Sequence, residues 1–166
     1  MKTILLLFSL GLLAAVSSHA QPGPPQPLAF RIGSVRFDRP EGWIYSRPPD
    51  GILAAQLEKK ISGVPLRITF AKLAPASGGT VPANVDRWQG QFLTRDEAPQ
   101  IEALTGTTLP LTLVKLAGTM KGGVPGGPPN NAPDTLLLGA ILDSPEGLVR
   151  SEEHTSELQS RQYLVC

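Results

Sequence analysis

Apolar and polar residues alternate in short runs along most of this chain, and turn residues punctuate them. Ala29 to Phe37 alternates loosely and predicts a first strand. Arg39-Pro40-Glu41-Gly42 predicts a turn, Trp43 to Tyr45 a resumed strand, and Pro48-Pro49-Asp50-Gly51 a second turn. Ile52 to Glu58 sets Leu53, Ala55 and Leu57 on one face. Leu66 to Ala71 has the cleanest period of two: Leu66, Ile68 and Phe70 point one way, Arg67, Thr69 and Ala71 the other. Lys59 to Val64, which contains Gly63, suits the hairpin between these two strands.

The period then lengthens. Thr80 to Phe92 reads TVPANVDRWQGQF, with Val81, Val85, Trp88 and Phe92 at i, i+4, i+7 and i+11. That spacing predicts one amphipathic helix. Thr80 is placed as its N-cap and Pro82 falls in its first turn, where a missing N–H costs little. Trp43, Trp88 and Phe92 are the expected core anchors, since large aromatics on an apolar stripe are buried more often than displayed as a ligand platform. Beyond the helix, Arg95 to Gln100 reads as a polar loop and Thr108 to Ala117 as a strand beginning near Pro110. Gly118 to Pro133, GTMKGGVPGGPPNNAP, predicts a long flexible hairpin loop, with a functional lid as the sharper alternative. Leu136 to Leu142, LLLGAIL, is apolar on both faces and predicts a central strand covered from both sides. Ser144-Pro145-Glu146-Gly147 is a further turn, and Leu148-Val149 opens a strand.

Strands, one helix, then strands make an α+β pattern: a mostly antiparallel sheet with a helix packed on it. One helix covers only part of one face of such a sheet. A second helix is therefore expected to be missing, with the aliphatic residues it would meet left facing water.

The two ends read differently from the middle. Residues 1–20 have the form of a secretory signal: Lys2, an apolar run from Ile4 to Val16, and a Ser18-His19-Ala20 cleavage site. The run is too short to span a membrane. Position 21 is Gln, so the lipid-bearing Cys of a lipoprotein is absent and a soluble exported protein, secreted or periplasmic, is expected. Residues 21–27, QPGPPQP, form a stiff extended linker, or a Pro-rich ligand for a partner. Arg150 to Ser160, RSEEHTSELQS, resembles the forward translation of a widely used sequencing-library adapter. The resemblance implies that residues 150–166 are a non-native tail outside the fold, and that residues 28–149 are a single, incomplete α+β domain.

Composition removes several chemistries. The chain has 15 basic and 14 acidic residues; leaving out Lys2, Arg150, Arg161, Glu152, Glu153 and Glu157 leaves 12 and 11 between positions 21 and 149. With no basic run, nucleic-acid binding is not expected. Cys166 and His154 lie in the tail and His19 in the signal, so positions 21–149 contain neither Cys nor His. A disulfide, a thiolate nucleophile, a His-based triad and a zinc site are all excluded there. No catalytic residue, metal ligand or cofactor is assigned. Gly78-Gly79-Thr80 precedes a helix but lacks the spacing of a phosphate loop, and reads as a tight strand-to-helix connection. The pairs Asp86/Asp96 and Asp96/Glu97 have no context that would raise a pKa. Asn84, Arg87 and Gln91 form a polar stripe beside Trp88 and are the candidate binding ridge; solvated or backbone-capping roles are the alternative.

RFDRPEGW, then a strand pair, then GGTVPANVDRWQGQF resembles a family of small exported domains of unknown function with a PsbP-like fold. That fold is an α/β/α sandwich shared by PsbP of photosystem II and the nuclear-import factor Mog. The resemblance covers about Val35 to Val149 and is most specific at Asn84, Arg87, Trp88, Gly90, Gln91 and Phe92. It implies scaffolding or binding roles and carries over no catalytic residue. The expected function is therefore protein binding or assembly support by a non-enzymatic domain. Small-ligand binding between the Gly-rich loop and the helix, or a carboxylate-dependent hydrolase, are the alternatives.

Overall fold

The computed structural model describes residues 25–49, 51–122 and 130–156. Residues 1–24, which include the expected signal and most of the expected linker, Asp50, residues 123–129 of the Gly- and Pro-rich stretch and residues 157–166 lie outside the described residues. Ten strands and one helix follow in order: β1 (Ala29–Ile32), β2 (Val35–Asp38), β3 (Ile44–Ser46), β4 (Ala55–Ile61), β5 (Val64–Leu73), α1 (Val81–Gly90), β6 (Phe92–Arg95), β7 (Gln100–Leu104), β8 (Leu111–Met120), β9 (Ala132–Ser144) and β10 (Gly147–Ser156).

Every described strand pairing is antiparallel. One sheet runs β3-β4-β5-β10-β9-β8-β6, with β7 also paired to β8, and β1-β2 is a separate hairpin. The β4–β5 turn has both Ser62 (φ 50°) and Gly63 (φ 83°) left-handed, the backbone that a two-residue hairpin needs to match strand twist. At the β9–β10 turn the Ser144 hydroxyl donates to the Gly147 carbonyl at 2.6 Å.

The fold is mainly β, which corrects the expected α+β class and the α/β/α sandwich implied by the resemblance. The only helix among the described residues has 10 residues. Extra strands account for the difference. The segment read as a polar loop after the helix is flanked by β6 and β7, both laid against β8. On the opposite face the β1-β2 hairpin covers part of the sheet, while Leu113 and Leu138 beyond it remain exposed.

Two clusters form on the two faces. On one, Val85, Trp88 and Phe92 pack with Val114, Leu116, Leu137, Ile141 and Leu148. On the other, Phe30 and Ile32 of the hairpin pack with Ala55, Leu57, Phe70 and Val149. Phe30 stacks on Phe37 and Tyr45 at ring centroids of 5.4 and 4.9 Å, and meets Phe70 edge-on at 5.4 Å. Consecutive Leu148 and Val149 fall in different clusters, as the period of a strand requires.

Residues 150–156 continue β10 between β5 and β9, at the middle of the sheet.

Candidate functional site

Local sequence accounts for where α1 begins. The Thr80 hydroxyl accepts from the Ala83 N–H at 3.3 Å, and Pro82 occupies the first turn. Asn84 is fully buried and its Nδ2 donates to the carbonyls of Gly78 (2.8 Å) and Thr80 (2.9 Å). It fastens the connection from β5 into the helix. Gln91 is the C-cap: its N–H reaches the Trp88 carbonyl at 3.0 Å, and its own carbonyl accepts from the Lys121 N–H at 2.8 Å. Arg87 is exposed and pairs with nothing among the described residues. Asn84, Arg87 and Gln91 thus share a helix but present no common surface: one is inside, one half-buried, one in solvent.

Trp88 is fully buried and Phe92 is buried beside it, whereas Trp43 is half-buried against the hairpin-side cluster. The Trp88 ring lies over Gly139 of β9, where a Cβ would come within 2.6 Å of ring carbons. Its indole N–H donates to the Glu152 carboxylate. The Arg150 guanidinium sits 5.6 Å from the ring centroid and 3.7 Å from Glu152, both charged groups largely buried. Nε and Nη1 of Arg150 are buried without a partner among the described residues. Sequence reasoning missed this Trp88–Arg150–Glu152 cluster because it placed Arg150 and Glu152 outside the fold. The one legible signal was Gly139 inside an apolar strand, a mark of close approach by another group.

On the hairpin face of β10, burial pushes the Glu153 carboxyl up. On the other face, His154 is exposed at its edge, yet the protein around it desolvates the ring and pulls its pKa down, with Glu152 partly opposing the shift.

The clefts are shallow and mixed. One, about 570 Å³, is lined by Leu53, Pro65, Arg67, Thr69, Glu152 and His154. Another, about 480 Å³, lies at the start of α1 between Pro75, Thr80 and Asp143. A third, about 350 Å³, lies over β7, β8 and β9 and includes Leu113, Leu138, Glu102 and Lys115. None of these brings two carboxylates together, as a carboxylate hydrolase requires. Asp86, Asp96 and Glu97 are exposed, and Glu97 pairs with Lys115 at 3.3 Å. Among the described residues no three His, Cys, Asp or Glu side chains gather as metal ligands, and no helix is long and apolar enough to cross a membrane.

An apolar surface lies on the hairpin side of the sheet, beyond the hairpin. Cross-strand rows there run Leu104–Leu111–Leu142, Glu102–Leu113–Ala140 and Gln100–Lys115–Leu138–Glu153. Leu113 is 37% and Leu138 42% exposed. The chain matches no family model, no curated protein and no solved structure in comparisons of the three kinds.

Proposed function

We infer that this is an exported, non-enzymatic domain that binds a protein partner on the β7-β8-β9 side of its sheet. One observation carries the reading: Leu113 and Leu138, diagonal neighbours on adjacent strands, stand open to solvent with Ala140 between them. Charged residues rim this patch, Glu102 and Lys115 on one side and Glu153 on the other. An apolar centre with a mixed polar rim suits a partner that offers aliphatic or aromatic side chains and no strong charge of either sign. The dispersed carboxylates support the non-enzymatic part of the reading.

The test places a photo-cross-linking residue at position 138 and irradiates the protein in the exported fraction of its source cells. A discrete adduct that disappears when Leu113→Glu is added supports the proposal. No adduct, or one indifferent to Leu113→Glu, overturns it. Circular dichroism confirms that both variants are folded.

A further inference from the structure

Three cations on separate elements line a different cleft, of about 260 Å³: Arg31 on β1, Arg47 after β3, and Lys72 on β5. Gly33, in the β1-β2 turn, forms part of its wall. Glu146, in the β9–β10 turn, pairs with one of these cations: its Oε2 lies 2.6 Å from Lys72 Nζ. Lys72 first, and Ser34 after it, hold this carboxyl below the usual carboxylate range by hydrogen bonding. Gly33 has a left-handed backbone (φ 59°), and a Cβ there would lie 2.6 Å from Lys72 Nζ, so the turn lies directly against the ion pair. Arg31 Nη2 donates to the Ser34 carbonyl at 2.5 Å, which fixes the guanidinium at the rim. Arg47 has no partner among the described residues.

The cleft is therefore cationic, and one carboxylate of the protein itself, Glu146, already pairs with one of its three cations. Three cations against one carboxylate leave two positive charges uncompensated among the described residues. A carboxylate carries one charge and two oxygens, whereas a phosphate dianion carries two charges and more acceptor oxygens for Arg and Lys donors. We propose that this cleft binds a phosphate group, which displaces Glu146 from Lys72 and recruits Arg47 and Arg31. The site is distinct from the β7-β8-β9 surface and does not depend on it.

Titration of the full chain with inorganic phosphate, followed by calorimetry at constant ionic strength with chloride as the control anion, tests this. Phenyl phosphate in a parallel arm separates a free phosphate from a phosphate monoester as the better-held form. Binding is expected to be saturable and stronger above pH 7 than below pH 6, since the second phosphate ionisation lies near pH ~6. Arg47→Ala is expected to weaken it about fivefold or more; Arg47 is exposed and has no partner among the described residues, so the fold should survive. Glu146→Gln is expected to strengthen it several-fold by removing the competing carboxylate. If phosphate binds no better than chloride, or if Arg47→Ala leaves the affinity unchanged, the site is refuted. If Glu146→Gln does not strengthen binding, displacement of Glu146 is refuted.

Discussion

The contact between Trp88 and Gly139 offers the sharpest test of how the helix is seated. A methyl at position 139 would lie 2.6 Å from two carbons of the Trp88 ring and 3.1 Å from a third. Ordinary carbon contacts are about 3.5–4.0 Å, so the ring or the strand must move. Trp88 is fully buried and Gly139 sits mid-strand between β8 and β10, so neither moves freely. Overpacking of this kind costs about 1–3 kcal/mol, against about 0.5–1 kcal/mol regained when Ala replaces Gly in a strand. Gly139→Ala should therefore destabilise by about 1–2 kcal/mol in the native background. In a Trp88→Leu background the space is open, and the same substitution should be neutral or stabilising. The coupling between the two positions should then be about 1–3 kcal/mol. Urea unfolding followed by far-ultraviolet circular dichroism measures all four corners of the cycle and avoids the fluorescence that Trp88→Leu removes. Additivity within about 0.5 kcal/mol would refute the packing of α1 over Gly139.

Other perturbations probe the rest of the sheet. Trp88→Ala should cost about 3–5 kcal/mol, because it empties the centre of the helix-side cluster and leaves Arg150 and Glu152 facing a cavity; a loss under about 1 kcal/mol in the same urea assay would count against it. A chain ending at Val149 keeps only Leu148 and Val149 of the six β10 residues registered against β5, so it should lose cooperative unfolding. A truncated protein with unchanged stability would show that the adapter-like residues contribute nothing to the sheet. Glu153→Gln should raise stability at pH 7. Its folded pKa is raised, so the stability it contributes is complete below the ordinary carboxylate range and is lost as pH rises through the folded value. A flat difference between native and variant from pH 4 to pH 8 would contradict this. The double variant Leu113→Lys and Leu138→Lys should reduce hydrophobic-dye binding and self-association in size-exclusion chromatography, with little change in stability.

Much of this molecule was legible in residue order alone. Thr80, Pro82 and the stripe through Val85 and Trp88 fix where a helix starts and which side it buries, because capping and period are local properties. LLLGAIL placed β9 inside the sheet, between β10 and β8, although Leu138 on its hairpin side is left uncovered. Gly63 and Gly147 mark turns because their left-handed backbones suit glycine.

Fold class, by contrast, was settled in three dimensions. Phe92–Arg95 and Gln100–Leu104 carry weak patterns of their own and become strands through pairing with β8. The β1-β2 hairpin, read as one strand, folds back and brings Phe30 and Phe37 over part of the face for which a second helix is expected. Residues 150–156 show the principle most plainly. Their polar sequence predicts no strand, yet their backbone completes both ladders of β10, while Arg150 Nε and Nη1 stay unpartnered and Glu153 resists ionisation. Ladder hydrogen bonds join backbone groups that nearly every residue carries, so a gap between two strands can be filled by a sequence that does not suit it. Side-chain pattern is written in the chain, but an open backbone edge waiting for a partner exists only once the rest of the sheet has formed.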